Sequence, residues 1–277
     1  MVKGWAHYLT PTATQRRLGM ACLGAGHKQQ VDPCPPRVLQ SYAAVFVVKG
    51  AGWLEWGDPP RRAELTASTL FWLFPGVPHS YGPHGRGWQE IWLLFEGPAA
   101  TAYEELGYLS RTEPVVPLAD PFGARAALDR LLDVCRHQRP GTEVEAAHAV
   151  HALVLGAHDQ DGDRDADDAA ILAALREGAC SPLSVHEHAR RIGLSLSSLR
   201  RTIRRGGGCS PKEYVLRIRL NRAKELLAES DLTVAEIARK VGHDDPAYFT
   251  RMFSRRTGMP PSAFRLQQRR PRRTARA

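Results

Sequence analysis

One stretch of the sequence carries arginines at a spacing that could bind nucleic acid. Leu199 and Ile203 are four residues apart and form an apolar stripe on a predicted helix. The polar side chains of the same turns then face away from that stripe; they are Ser197, Arg200, Arg201 and Arg204. An arginine guanidinium can donate two hydrogen bonds to O6 and N7 of guanine, worth roughly 1–3 kcal/mol of base discrimination. The spacing therefore indicates a surface that could recognise DNA bases.

Two other groups of residues could do chemistry of a different kind. Imidazole and carboxylate are common ligands of transition metals, and His79, His84 and Glu90 lie close together in the sequence. Five cysteines are present, an odd number without metal-ligand spacing, so we expect reduced thiols. Cys209 stands beside the arginine-bearing stretch, where a DNA-repair protein could use an alkyl acceptor, but no partner pattern accompanies it.

The arginine-bearing helix belongs to a unit that the sequence contains twice. Residues 184–187 and 233–236 both read S/T-x-x-E, the capping box that begins a helix. Each box leads to A-x-x-x-G, ending at Gly193 and at Gly242, where glycine accepts the positive φ of a tight turn. This order of signals predicts a helix-turn-helix unit in each copy.

A second helix follows each turn, and we call these the first and second reading helices. Ser195 and Asp245 are their predicted N-caps, and Phe249 with Phe253 repeats the apolar stripe of the first copy. Between the units, residues 211–229 predict one continuous linker helix. Two reading helices on a rigid spacer can enter successive major-groove segments, about 34 Å apart on one face of DNA.

This region resembles the DNA-binding domain of AraC-family transcription regulators over about a hundred residues. The matching residues are Arg219, Leu220, Ala223, Leu226, Leu227, Ile237, Ala238, Val241, Gly242, Tyr248, Phe249, Arg251, Phe253, Gly258, Pro261, Phe264 and Arg265. His243 and Ile203 depart from the family, which often has Phe at both positions. The resemblance implies base contacts from Ser197, Arg200, Arg201, Ala247, Thr250 and Arg251.

Phosphates of a bound duplex should pass the helix N-termini and flanks. The residues predicted there are Ser184, Arg204, Arg205, Thr233, Arg255 and Arg256. Ala247 and Thr250 offer only methyl or single-bond contacts to bases. We therefore expect the first reading helix to carry more of the sequence specificity.

Charge divides the chain more clearly than its total of +9 suggests. From Ile171 onward there are 23 basic and 9 acidic residues, a net charge of +14, whereas the rest has 15 and 20, a net charge of −5. A basic module beside a mildly acidic one predicts a polyanion partner for the first and another ligand for the second. The sequence shows no apolar run that could cross a membrane and no signal peptide, so we expect a cytoplasmic protein.

The first 120 residues or so predict a β-rich domain. Candidate strands lie at 38–49, 53–56, 64–74 and 88–95, separated by Gly and Pro. Residues 74–81 (FPGVPHSY) and 88–97 (WQEIWLLFEG) resemble the signature of cupin-like sensor barrels in AraC-family regulators. Catalytic cupins have two metal-binding His separated by one residue, whereas four separate His79 from His84. We therefore expect no metal, no cofactor and no catalytic residue.

A sensor barrel implies a small-molecule effector. The residues predicted to contact it are His79, Tyr81, Trp88 and Trp92. Tryptophan rings stack on the C–H faces of sugars and on aromatic ligands, so a sugar is favoured. An aromatic acid near Arg61 and Arg62 remains open.

Four segments follow from these signals. Residues 1–157 form the predicted sensing domain, whose last helices, within 121–159, could cover the barrel or form a homodimer contact. Residues 158–170 are acidic and predict a linker that does not pack. Residues 171–266 form the DNA-binding domain, and 267–277 a basic, disordered tail.

The predicted fold class is α+β, with an N-terminal cupin-like β-barrel followed by helices and a C-terminal all-α domain. The favoured function is a sequence-specific transcription regulator, an activator that binds double-stranded DNA, a small effector and RNA polymerase. Two alternatives stay open: an enzyme (a metal cupin or DNA-repair transferase) fused to a DNA-binding domain, and an architectural DNA-binding protein of weak specificity.

Overall fold

The chain divides into two compact units, Met1–Gly162 and Asp163–Ala277. The computed structural model describes residues 4–118, 122–137, 139–158 and 162–268, apart from the side chains of 122–123, 162–166 and 205–207. The first unit is rich in β-strands and the second is helical, which confirms the predicted α+β class with two domains. No helix in the described ranges combines the length and apolarity that crossing a bilayer requires.

Two antiparallel sheets build the first unit. Its strands are Trp5–Tyr8 (β1), Ala21–Gln30 (β2), Cys34–Val38 (β3), Tyr42–Lys49 (β4), Ala51–Trp56 (β5), Arg61–Thr66 (β6), Thr69–Leu73 (β7), Pro78–Pro83 (β8), Trp88–Glu96 (β9) and Val115–Pro117 (β10). One sheet has the order β1-β2-β9-β4-β7-β10, and the other has the order β3-β8-β5-β6. Two predicted strands are each divided: a turn at 39–41 separates β3 from β4, and Ser68, with φ of 64°, separates β6 from β7.

Strand β4 explains how the first unit has apolar packing on both faces of one sheet. Val45 and Val47 point into the space between the sheets, where they pack with Leu54 and Phe71. The alternate residue Phe46 points to the opposite face of the same sheet. A strand buried on both sides must be apolar throughout, and residues 42–47 are all buried.

The short helix Ala13–Arg16 (α1) has no buried residue. Three longer helices cover the outer face of the six-stranded sheet: Pro98–Leu106 (α2), Phe122–His137 (α3) and Thr142–His158 (α4). Leu128, Leu131 and Val150 of the α3–α4 hairpin are buried in the same core as Phe46 and Ile91. The hairpin therefore covers the barrel, as one of the two predicted roles requires, while its role in a dimer stays a prediction.

The second unit consists of seven helices within its described residues. They are Gly162–Gly178 (α5), Val185–Arg191 (α6), Leu196–Gly207 (α7), Pro211–Glu229 (α8), Val234–Lys240 (α9), Pro246–Thr257 (α10) and Pro261–Gln268 (α11). Helices α6–α7 and α9–α10 are the two predicted helix-turn-helix units, and α8 is the linker helix with the predicted bounds.

Two of the predicted segment boundaries are wrong. Residues 162–170 belong to α5, although their acidity predicts a linker. Alanine, the best helix former, recurs in this stretch, and Thr202 of α7 donates a hydrogen bond of 2.8 Å to Asp168, so the acidic segment does pack. The predicted tail also begins too early, because Gln267 and Gln268 end α11; residues 269–277 lie outside the described part of the chain.

Candidate functional site

Reciprocal hydrogen bonds fix the start of each helix-turn-helix unit. The backbone N–H of Ser184 donates to Glu187 Oε2 at 2.7 Å, and the Glu187 N–H donates to the Ser184 hydroxyl at 3.3 Å. Thr233 and Glu236 repeat the arrangement at 2.7 and 3.2 Å. These bonds lower the pKa of Glu187 and of Glu236, because they favour the charged carboxylates. The predicted phosphate contacts of Ser184 and Thr233 therefore lie beside negative charges that the caps require.

The turn between the helices has the same geometry in both units. Gly193 and Gly242 adopt φ of 75° and 79°, the left-handed region in which a Cβ is unfavourable. Ala189 and Ala238, four residues earlier, are fully buried. The small side chain on the first helix thus allows the reading helix to pack closely, as the A-x-x-x-G pattern predicts.

The first reading helix, α7, presents a polar face. Leu199 and Ile203 are fully buried, and the predicted contact residues project from the opposite side of the helix. The exposed ones are Ser197, Arg200, Arg201 and Arg204. The side chain of Arg205 lies outside the described part of the structure.

The second reading helix, α10, presents a less polar face. Ala247 and Arg251 are exposed, whereas Thr250 is half-buried and its hydroxyl donates to the Pro246 carbonyl at 2.8 Å. Thr250 therefore offers mainly its methyl group. Tyr248 is 50% exposed, a large aromatic at the start of this helix whose exposure the sequence reasoning missed.

One predicted phosphate contact is already engaged inside the unit. Both terminal nitrogens of Arg256 donate to the carboxylate of Glu213 on α8, at 2.9 and 2.7 Å. This bidentate pair joins the end of the second reading helix to the start of the linker helix. Arg255, its neighbour, is exposed.

Arg219 organises the centre of the second unit. From the middle of α8 its guanidinium donates to the carbonyls of Ala179 at 2.7 Å, Ser181 at 2.7 Å, Leu183 at 3.4 Å and Gly242 at 3.1 Å. The first three carbonyls precede the first helix-turn-helix unit, and the fourth lies in the turn of the second. Burial lowers the pKa of Arg219. One side chain thus contacts both helix-turn-helix units. The sequence analysis included Arg219 among the residues that match the family but did not predict these contacts.

An open cavity of about 450 Å³ lies between the two sheets of the first unit. It is lined by residues of both sheets, among them Lys28 and Trp92 of the larger sheet and Arg37 and Tyr81 of the smaller one. The Trp92 ring lies against the backbone of its cross-strand partner Gly26, where an added Cβ would stand 2.8 Å from the indole. Each sheet therefore contributes one aromatic and one cationic side chain to the cavity.

The predicted effector contacts are divided by this geometry. Tyr81 and Trp92 line the cavity, but His79 and Trp88 do not. His79 is buried beside the Val77 carbonyl, 3.0 Å from its Nδ1, and burial lowers its pKa. Trp88 is 1% exposed and its indole N–H donates to Glu90 Oε2 at 2.6 Å. Neither residue lines this cavity, whereas Lys28 and Arg37 are lining residues that the sequence reasoning missed.

The residues considered as metal ligands have other partners. His84 Nε2 lies 2.6 Å from Glu64 Oε2 at the surface, and Glu90 is bonded to Trp88. In the ranges that the structure describes, no three His, Cys, Asp or Glu side chains are placed to hold a metal ion.

Two protein families match this chain, one over most of the first unit and one within the second. The family described as "AraC-like ligand binding domain" matches residues 18–176, and "Helix-turn-helix domain" matches residues 188–267. The lactose operon transcription activator of Staphylococcus xylosus is 31% identical over 249 residues, which cover 82% of this chain and 85% of that protein. The arabinose operon regulatory protein of Escherichia coli is 28% identical over 251 residues, covering 83% and 82%. The MmsAB operon regulatory protein of Pseudomonas aeruginosa is 28% identical over 235 residues, covering 81% and 75%.

Solved structures match parts of the chain. The C-terminal domain of AraT, a response regulator from Geobacillus stearothermophilus, is 25% identical and covers 40% of this chain and 92% of that one, with a TM-score of 0.37. The ligand-binding family match spans more than half of the chain and includes Lys28, Arg37, Tyr81 and Trp92 of the cavity, while the second match includes both reading helices and the linker helix. The chain therefore belongs to the AraC family of DNA-binding transcription regulators, with a ligand-binding domain that precedes a double helix-turn-helix domain.

Proposed function

We propose that the protein activates transcription when a sugar effector binds in the cavity between its two sheets. The observation that carries this proposal is the Trp92 ring, which lies close to Gly26 and lines the cavity together with Tyr81. Such a ring can stack on the C–H face of a sugar. Two relatives are named for the lactose and arabinose operons, and one of them is named an activator, which supports both the ligand class and the direction of control.

The two reading helices bind DNA unequally in this proposal. Arg200 and Arg201 are exposed on α7 and can each grip a guanine, with Ser197 as a neighbouring contact. On α10 Arg251 is the one predicted base contact that carries a guanidinium, since Ala247 and Thr250 offer methyl groups. Specificity is therefore concentrated in the half-site that α7 reads.

Phosphate contacts complete the DNA interface. Arg204 and Arg255 are exposed and can bind the DNA backbone, and Arg205 directly follows Arg204 in the sequence. Ser184 and Thr233 are the other two predicted phosphate contacts, although their backbone amides already donate to the capping glutamates. Arg256 can contribute only by leaving or sharing Glu213.

Partners other than DNA follow from the same proposal. The protein acts as a homodimer through the α3–α4 hairpin, on which Val144 and Leu155 are exposed at 46% and 43%. It contacts RNA polymerase at the promoter and works in the cytoplasm, where its DNA is. No catalytic step is assigned, and its relatives are named as regulators.

Selection of duplexes from a random pool by the full-length protein tests the DNA part. Arg201→Ala and Arg251→Ala should each lower affinity for the selected site by about 5- to 150-fold, with relaxed preference at one base pair. Arg17→Ala removes an exposed arginine from the first unit and should leave the affinity unchanged. Equal affinity for selected and random duplexes at fixed salt would instead indicate an architectural protein.

The effector part is tested on the same site with a promoter template and purified RNA polymerase. Lactose, D-galactose and L-arabinose are added in turn, and transcript yield is measured. Trp92→Ala should abolish the response to the active sugar without changing affinity for DNA in its absence. Transcription that falls when the sugar is added would overturn activation, while Trp92→Ala with an intact response would remove the cavity from the proposal.

A further inference from the structure

A second hollow, which we call the α3 groove, lies on the outer face of the six-stranded sheet. It has a volume of about 380 Å³, and its sheet side is formed by His27 of β2, Val48 of β4 and Ile91 of β9. Helix α3 forms the other side. Of the described residues that line the groove, only His27 also lines the cavity between the sheets, so the groove is a separate site.

Four charged side chains of α3 line the groove. They are Arg125, Asp129, Asp133 and Arg136, and their spacings of four, four and three residues place them along one side of the helix, with the apolar Leu132 among them. Arg125 Nε donates to both oxygens of Asp129, at 3.0 and 3.1 Å, so this pair is already formed. The four charges balance, and the groove therefore has no excess charge that would favour a simple anion or a simple cation.

The other two charges are open to a ligand. In the described ranges no carboxylate lies within ion-pair distance of Arg136, whose guanidinium lies instead over the Trp5 ring, 4.5 Å from its centroid. Asp133 Oδ1 lies 3.1 Å from His137 Nδ1, a pair that is ionic only while the imidazole is protonated. Asp133 and Arg136 are neighbours on the helix surface, so one small molecule can reach both.

The sheet side of the groove adds a polar atom that lacks a partner. His27 Nδ1 is shielded from solvent and has no hydrogen-bond partner in the described part of the structure. Burial lowers the pKa of His27, and the charges of Arg136 and Arg125 lower it further, so the neutral imidazole is favoured in positive surroundings. A neutral imidazole can carry its hydrogen on Nδ1 and donate it. A ligand carboxylate at this point would accept that hydrogen bond and be attracted by both arginines.

We propose that the α3 groove binds a free α-amino acid with an apolar side chain. Its carboxylate binds Arg136 and the Nδ1–H of His27, and its ammonium group binds Asp133. Its side chain packs on Val48 and Ile91, and the volume lies within the range of small-molecule sites. Because the two sides of the groove belong to different elements, the ligand joins α3 to the sheet. The site is independent of the proposed sugar effector, since it uses the other face of the sheet.

Calorimetric titration of the full-length protein tests the two charged groups of the ligand separately. L-Valine, L-leucine and L-phenylalanine are the probes, and the tightest binder is compared with the carboxylic acid and the amine that carry the same side chain. The amino acid should bind at least about tenfold more tightly than either analogue. Arg136→Gln should weaken its binding by about tenfold or more, and Asp133→Asn should reduce it to the affinity of the acid.

Two control variants separate the groove from the rest of the first unit. Arg130→Gln removes an exposed arginine of the same helix that does not line the groove, and Trp92→Ala alters the cavity between the sheets; both should leave the affinity for the amino acid unchanged. The proposal is overturned if none of the three probes binds, if the acid or the amine binds as tightly, or if Arg136→Gln binds like Arg130→Gln. A folded Trp92→Ala protein that no longer binds the amino acid would place the ligand in the other cavity and would overturn it as well.

Discussion

Replacing Arg219 with Met removes the side chain that joins both helix-turn-helix units to the linker helix. Methionine keeps an unbranched apolar stem in the same helix but has no donor for the four carbonyls. Ala179 is fully buried, so its carbonyl would be left without solvent. The other three carbonyls belong to half-buried residues that water can partly reach.

The expected loss of stability follows from this difference in burial. An unsatisfied buried acceptor costs about 2 kcal/mol, and three half-exposed bonds to a charged donor cost about 0.5–1 kcal/mol each. The second unit should therefore lose about 4 kcal/mol of unfolding free energy, a large fraction of the 5–15 kcal/mol typical of a domain. Arg219→Lys should recover a small part, because one ammonium cannot reach all four oxygens.

Urea unfolding of the full chain can resolve this effect in one unit. All six tryptophans lie in the first unit, so tryptophan fluorescence reports its unfolding. Far-ultraviolet circular dichroism reports in addition the helices of the second unit. Arg217→Met is the matched control, since it makes the same substitution at an exposed position of the same helix. The reasoning is refuted if Arg219→Met and Arg217→Met shift the dichroism midpoint equally.

Three further outcomes are expected. Burial lowers the pKa of His243, so the folded state favours the neutral imidazole. The stability that depends on the neutral imidazole is fully present above the unfolded pKa of about 6.5. It is lost as the pH falls from there through the lower pKa of the folded state. His243→Phe should remove that loss, which unfolding curves at several pH values between neutral and acidic can check. Glu213→Gln should release Arg256 for phosphate and steepen the salt dependence of DNA binding by about one unit of slope, at a stability loss below about 1 kcal/mol; an unchanged slope would mean that Arg256 stays away from DNA. Gly26→Ala should displace the Trp92 ring, lower the stability of the first unit by about 1–3 kcal/mol and abolish effector binding, and a fluorescence unfolding curve like the wild type's would contradict it.

Local signals in the sequence were sufficient for the helix-turn-helix units. A capping box needs only two residues three positions apart, and Gly193 and Gly242 are required by the backbone of the turn itself. The reading helices likewise follow from an apolar stripe with a polar opposite face. Nothing in these features depends on a distant part of the chain, so sequence spacing predicts them correctly.

Features that depend on distant partners could not be predicted in this way. Arg219 bonds to carbonyls 23 to 40 positions away, and Arg256 finds Glu213 43 positions earlier. Every residue has a backbone carbonyl, so the sequence does not show which arginine donates to which carbonyl. The acidic segment was misjudged for a related reason, since the partner of Asp168 is Thr202 on another helix.

The cavity shows how far strand alternation can identify a binding site. Trp88 and Trp92 are four positions apart on β9 and share a face, yet one is in the core and the other lines the cavity. Their depth along the barrel decides this, and alternation contains no information on depth. Lys28 and Arg37 lie on strands whose pairing and bulges set where they point, and the bulge between Cys34 and Arg37 is invisible in the sequence.

The net charge of +14 in the C-terminal part overstates what faces DNA. Arg219 binds backbone carbonyls, Arg256 is paired with Glu213, and Arg222 with Glu225 at 2.8 Å. Arg219 and Arg256 join the helix-turn-helix units to the linker helix, and Arg222 is paired within the linker helix, so all three guanidinium groups already have partners inside the second unit. Arg204 and Arg255 remain exposed at the flanks of the two reading helices. Charge composition thus predicts the class of partner, whereas the pairing of individual arginines determines which of them contact phosphate and how steeply binding depends on salt.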